Sequence, residues 1–317
     1  MILGIDGGGT HSTGIAVSDE GRILAMCPGG SLNFHTIGME RTREHLKALV
    51  GELMATSGEE EFELMGLGLA ALDGPGDEKV ARDLSGGMWD ADRLVTDSDA
   101  FACLLGGSLG EPGMAVICGT GSMILLLDGQ GEQHVRSGWG FALHDAGSGY
   151  QIARRALLEA IDTWEDTGGV PLVLRAAMEH FGVKGARDLI GEIYRVPFDP
   201  ARLAGFARVV LDLAGQDPGA GRAVASEMEQ IAREAKRCLR GHPEVRRICL
   251  YGGIFEHSSL ALEAFRSGLE GVEAGLPKLP PCLGAVLMAL RARGRDVECI
   301  VPDLVASWST WENRRFR

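Results

Sequence analysis

Two short glycine turns hold the residues best suited to chemistry: Gly4-Ile5-Asp6-Gly7-Gly8-Gly9-Thr10-His11-Ser12 near the start, and Cys118-Gly119-Thr120-Gly121-Ser122 about a third of the way along. Each follows an apolar run. Main-chain N–H groups in such turns can approach an anion with no Cβ in the way. The hydroxyls of Thr10, Ser12, Thr120 and Ser122 add donors, so each turn could hold a phosphate. Two of them, far apart in the chain, point to one polyphosphate. Asp6, ending the first apolar run, offers the oxygen ligand that a phosphate-bound Mg²⁺ needs. His11 reads equally as a phosphate contact or an exposed turn residue. Together these residues point to phosphoryl transfer.

The turns need strands to carry them. Residues 2–6, 13–18 and 22–27 read as strands, with Asp19-Glu20-Gly21 closing the second hairpin. A helix over 38–56 follows, with Leu46, Leu49, Val50 and Leu53 at helical spacing and Gly58 at its end. After the apolar run Phe62 to Ala70, a short strand from Arg93 to Thr96 delivers Asp97 and Asp99 to its carboxyl end, where ligand chemistry in open α/β sheets sits. A turn at Gly110-Glu111-Pro112-Gly113 marks a boundary between residues 1–112 and 113–317. The pattern then repeats: strand 114–118, glycine turn, strand 122–127, Asp128-Gly129 turn, strand 133–137. From about 147 to 240 the chain reads as helical, broken at Pro171, Pro197, Pro200 and Pro218. A strand from Arg246 to Tyr251 leads through Gly252-Gly253 to a helix from about Ser258, and Pro280-Pro281 precedes a helix over 282–293. The tail from about 295, with Trp308, Trp311 and Phe316, reads as packing against the first domain or a second subunit.

Bulk properties narrow the function. With 317 residues and 45% hydrophobic content the chain can bury two cores. The 44 acidic against 31 basic residues, a net charge of −13, argue against nucleic-acid or anionic-membrane partners. No apolar run is long enough to span a membrane, and Met1-Ile2-Leu3 enters the first strand without a basic leader, so a cytoplasmic protein is expected. The seven cysteines include no Cys-x-x-Cys pair and read as reduced core residues.

The two glycine turns, with Tyr251-Gly252-Gly253-Ile254 and Gly138-Trp139-Gly140-Phe141-Ala142-Leu143-His144-Asp145-Ala146-Gly147-Ser148-Gly149-Tyr150, resemble the sugar kinase, Hsp70 and actin superfamily. Within it they resemble the N-acetylglucosamine kinase and BadF/BadG/BcrA/BcrD-type ATPase family. The resemblance implies an α/β fold of two duplicated ribonuclease-H-like, actin-like ATPase domains with a helical insertion in the second. It assigns the first turn to a phosphate-1 loop, Gly119 to Ser122 to a phosphate-2 loop, and Gly252-Gly253 to an adenosine loop. ATP and Mg²⁺ are the implied cofactors, and a homodimer is left open.

A sugar hydroxyl has a pKa far above neutral, so its attack on the γ-phosphoryl group benefits from a carboxylate base. Ser98-Asp99-Ala100-x-Ala102 is similar to the family's Asn-Asp-Ala-x-Ala pattern, which selects Asp99 over Asp97; helix capping is the competing role for either. Asn33 lies where family members have an Asn loop that meets the sugar, and competes with an Asx turn. Trp139 and Asp145 would offer an aromatic face and a carboxylate to a pyranose. Relatives usually have Glu where this chain has Ala146; in N-acetylglucosamine kinases that Glu belongs to the sugar pocket, so which sugar is used stays open. The resemblance therefore implies a kinase of an amino sugar such as N-acetylglucosamine or glucosamine. The alternatives are an ATPase that activates a partner enzyme, whose relatives carry a shared iron–sulfur cluster on cysteines, and a non-catalytic sugar or nucleotide sensor.

Overall fold

The computed structural model describes residues 1–76, 78–269 and 271–315; Phe316 and Arg317 of the tail lie outside them. Five strands make a first sheet: β1 (Ile2–Gly7), β2 (His11–Val17), β3 (Ile23–Gly30), β4 (Leu64–Leu69) and β5 (Leu94–Ser98). Their order is β3-β2-β1-β4-β5. β1 is antiparallel to β2 and parallel to β4, which is parallel to β5. Every residue of β4 is buried, as strands covered on both faces require. The helix Met39–Ser57 covers one face with Leu46, Leu49, Val50 and Leu53, the residues its spacing singled out. It ends at Gly58, whose left-handed φ of 75° lets its N–H reach Met54 O.

A second sheet holds β6 (Gly113–Cys118), β7 (Ser122–Leu127), β8 (Gln133–Ser137), β9 (Arg247–Tyr251) and β10 (Glu273–Gly275), in the order β10-β9-β6-β7-β8. Read from its other edge, the third, second, first, fourth and fifth strands follow one another, as in the first sheet. The duplication expected from the strand–turn repeat is therefore present as topology. β10 was not legible because three half-exposed residues carry no periodic signal.

The chain divides into two compact units, Met1–Ala115 with the stretch from Pro277 onward, and Val116–Leu276. This differs from a second domain running over 113–317. The helix Pro281–Ala292 packs on β1, β4 and the helix Asp99–Ser108 of the first unit. Its approach is so close that a Cβ on Gly66 would collide with the Ala285 carbonyl. The tail helix Val301–Arg315 belongs to the same unit: Leu304 is fully buried and Ser307 Oγ accepts the Ile23 N–H at 2.9 Å. In the second unit, Pro200 and Pro218 start helices behind the capping residues Asp199 and Asp217. The prolines expected as breaks are thus also start signals.

Candidate active site

In the first unit the parallel strands deliver carboxylates to one edge. Asp6 stands across from Gly68 of β4, and Gly68 from Asp97 of β5. The Asp6 carboxyl is raised from 3.8 to about 6, first by burial and then by the charge of Asp99. Asp99 is also raised, chiefly by burial, with Asp73 on the loop after β4 pushing the same way. Asp73 was not singled out from sequence, since a lone carboxylate in a Gly-Pro loop carries no spacing signal.

Capping and the candidate base are separate residues. Ser98 is the N-cap of the helix Asp99–Ser108, accepting the Phe101 N–H at 3.1 Å. Asp99 is the first helical residue, with Oδ1 on the Ala100 N–H at 2.7 Å. Asp97 is buried and its Oδ1 accepts the Ser98 N–H at 2.6 Å, so it shapes the turn into the helix.

The first glycine turn is tied down through its carbonyls. Gly7 O accepts the Ala70 N–H at 3.0 Å, Gly8 O the Leu32 N–H at 3.3 Å, and Gly9 O the Ser31 hydroxyl at 2.8 Å. Gly9 itself faces open space: nothing lies within 4 Å of where its Cβ would be, and its φ is outside the left-handed range. Neither a left-handed φ nor packing requires glycine there, so the turn is open at this position. Thr10 and His11 are exposed, whereas Ser12 is buried beside Gly29 with its hydroxyl unpartnered, so it does not share the exposed side of the turn. Asn33 Oδ1 caps the short helix Phe34–Ile37 by accepting the His35 N–H at 3.1 Å. The Asx role is therefore realised at that oxygen. His35 Nε2 lies 3.1 Å from Ala71 O, joining this loop to the one carrying Asp73.

In the second unit, Gly119 and Thr120 give their carbonyls to the Gly149 and Tyr150 N–H groups at 2.7 and 3.4 Å, anchoring the turn on the helix Gly149–Thr167. Gly119 faces open space as Gly9 does, and Gly121 has only Asp145 Oδ2 near its missing side chain, at 3.8 Å. Thr120 is exposed, but Ser122 is buried and donates its hydroxyl to Ala146 O at 2.8 Å. Its proton therefore holds the Asp145-Ala146 segment in place and is not free for a phosphate. Asp145 is buried; Gln151 Nε2 donates to its Oδ1 at 3.0 Å, and Oδ2 has no partner. Burial is the main reason its carboxyl is raised. Unpartnered buried carboxylate oxygens are uncommon in folded proteins, which marks Asp145, beside the glycine turn, as a candidate site residue. Trp139 is 72% exposed, presenting its indole to solvent. Gly252 has φ 99°, and a Cβ there would collide with the Cys118 carbonyl, so this glycine is required by packing. Gly253 opens the next short helix with ordinary clearance around it.

The donor set suits Mg²⁺. Asp6 and its neighbour Asp99 are oxygen donors only, as this hard cation prefers, and two like charges at a buried edge are relieved by a cation.

The chain is similar to known sugar kinases. An N-acetylmuramic acid/N-acetylglucosamine kinase of Clostridium acetobutylicum is 29% identical over 213 residues, covering 66% of this chain and 69% of the relative. An N-acetyl-D-glucosamine kinase of Dictyostelium discoideum is 27% identical over 205 residues, covering 61% of this chain and 64% of the relative. The crystal structure of a candidate N-acetylglucosamine kinase from Chromobacterium violaceum superposes with a TM-score of 0.69 at 25% identity, covering 91% of this chain and 98% of that one. A glucokinase of the ROK family from Streptomyces griseus shares the fold, with a TM-score of 0.55 at 15% identity over 92% of this chain and 99% of that one. The sequence profile of the BadF/BadG/BcrA/BcrD ATPase family matches residues 3–289, and the chain belongs to that family.

Proposed function

We propose that this chain is an ATP-dependent kinase that transfers the γ-phosphoryl group of ATP to a hydroxyl of an amino sugar. The observation that carries the reading is the pair Asp6 and Asp99 at the carboxyl edge of the first sheet, beside a glycine turn with open clearance at Gly9. Asp99 accepts the proton of the attacking hydroxyl, a role open to it because Ser98 takes the cap. When bound, Mg²⁺ supplies charge neutralisation at the phosphates, and Asp6 is the residue that would hold it. Main-chain N–H groups around Gly7, Gly8, Gly9, Gly119 and Gly121, with the Thr10 and Thr120 hydroxyls, receive phosphate oxygens. Gly252 and Gly253 form the adenosine turn. Asp145 Oδ2 and the Asn33 amide receive sugar hydroxyls, and the exposed Trp139 ring covers the apolar face of the pyranose. A location inside the cell, where ATP is available, belongs to the same reading; among the described residues no helix is long and apolar enough to cross a membrane.

The experiment is a panel of N-acetylglucosamine, glucosamine, N-acetylmuramic acid, N-acetylmannosamine and glucose, scored by ADP release with Mg²⁺-ATP. Release that depends on one of the amino sugars is expected. Release that ignores the added sugar would instead support the partner-activating ATPase.

A further inference from the structure

Outside the residues assigned above, Asp128, His134 and His242 each bring one potential ligand atom within 4.8 Å of the others. Asp128 follows β7, and its Oδ1 accepts the N–H groups of Gln130 and Glu132, both at 2.9 Å. The hairpin turn thereby fixes the carboxylate and leaves Oδ2 facing His134 Nε2 at 2.8 Å. His134 sits on β8 opposite Leu126. His242 comes from the loop between the helix Pro218–Cys238 and β9, more than a hundred residues later in the chain. Its ring centroid lies 4.6 Å from that of His134. Glu244 links the two segments: its Oε1 accepts the Gly129 N–H at 3.3 Å and stands 3.5 Å from His242 Nδ1.

An Asp–His contact alone would account for Asp128 and His134. Glu244 faces His242 at its Nδ1, yet neither contact requires ligand atoms of Asp128, His134 and His242 to converge within 4.8 Å, as they do. Two imidazole nitrogens and one carboxylate oxygen are the donor set of Zn²⁺ and its neighbours, not of Mg²⁺. Ligand atoms around tetrahedral Zn²⁺ lie about 3.3 Å apart given its bond lengths, so small side-chain rotations close the site. The Asp128 side chain is 7% exposed, that of His242 21% and that of His134 42%. Solvent therefore reaches the cluster from the His134 side and can fill a fourth position.

We propose that Asp128, His134 and His242 bind a divalent transition metal of the Zn²⁺ class, with one position left to water, at a site separate from the nucleotide's metal. The test uses the tag-free full chain, stripped with a chelator and titrated without nucleotide. One equivalent of Co²⁺ should bind with the intense visible bands of a low-symmetry site, and Zn²⁺ should displace it. His134→Ala and His242→Ala should each weaken binding by more than about 100-fold, beyond the roughly 10–100-fold cost of losing an outer partner, while Asp6→Asn leaves it unchanged. In chelator, the parent and the His134→Ala/His242→Ala double variant should unfold at the same temperature, and added Zn²⁺ should raise only the parent. No bound Co²⁺, a Zn²⁺-induced rise of equal size in the double variant, or loss of binding in Asp6→Asn would overturn the assignment.

Discussion

Asp6 at the end of β1 and Asp99 at the start of the helix after β5 are near enough that the Asp99 charge adds to burial in raising the Asp6 carboxyl to about 6. In the protein without its ligands this edge carries electrostatic strain, the usual signature of a site built for chemistry and not for stability.

That strain has a measurable sign. Between pH 3.8 and about 6 the folded chain keeps the Asp6 proton that the unfolded chain has lost, so stability falls as pH rises through this window. Asp6→Asn should remove that part of the slope and, at pH 7 without nucleotide, stabilise the fold by about 1–3 kcal/mol, while sharply reducing turnover and raising the Mg²⁺ requirement. Denaturant unfolding across the pH range, alongside turnover against Mg²⁺, checks both halves. A variant that is less stable and fully active would remove Asp6 from the nucleotide site.

Asp99→Asn should stay folded, because Ser98 holds the cap, and should still bind ATP and sugar with kcat lowered by about 10²–10⁴-fold. Asp97→Asn keeps an acceptor oxygen for the Ser98 N–H and should leave turnover largely intact. Steady-state kinetics of the two variants decide the assignment: the opposite pattern makes Asp97 the base, and two active variants remove the general-base step.

The glycines divide into two kinds. Gly9→Ala and Gly119→Ala place a methyl in open space, so they should leave stability unchanged or raise it by up to about 1 kcal/mol while raising the KM for ATP several-fold. Gly252→Ala meets the Cys118 carbonyl at a left-handed φ and should destabilise the fold. Thermal unfolding together with KM for ATP separates the two. Equal destabilisation in all three would mean that Gly9 and Gly119 also serve the fold alone.

Most of the fold was legible because its signals are local. The three-strand repeats and the helix ending at Gly58 write their limits into neighbouring residues, whereas Pro200 and Pro218, read as breaks, start capped helices. What was missed depends on contacts between distant segments. Nothing in the sequence of 281–292 shows that it packs on β1 and β4, and Glu78–Ser85 is a short charged helix that buries only Ala81, Leu84 and Ser85. In the site, residue types and order pointed to both glycine turns. The use of the Ser122 hydroxyl on Ala146 and the burial of Ser12 follow from which way a side chain turns, which spacing does not encode.

Asp145→Asn retains an oxygen for Gln151 and removes a buried charge held up mainly by desolvation. It should preserve or raise stability without ligand and raise the KM for sugar well above the change in KM for ATP. An effect confined to ATP would move Asp145 from the sugar to the phosphates.

The most direct measurement of the central claim is phosphorus NMR of a complete reaction with Mg²⁺-ATP and the best sugar of the panel. Phosphoryl transfer predicts a sugar phosphate monoester in amounts equal to the ADP formed, with both lost in Asp99→Asn. Inorganic phosphate as the sole product alongside ADP, at a rate indifferent to sugar, would contradict it.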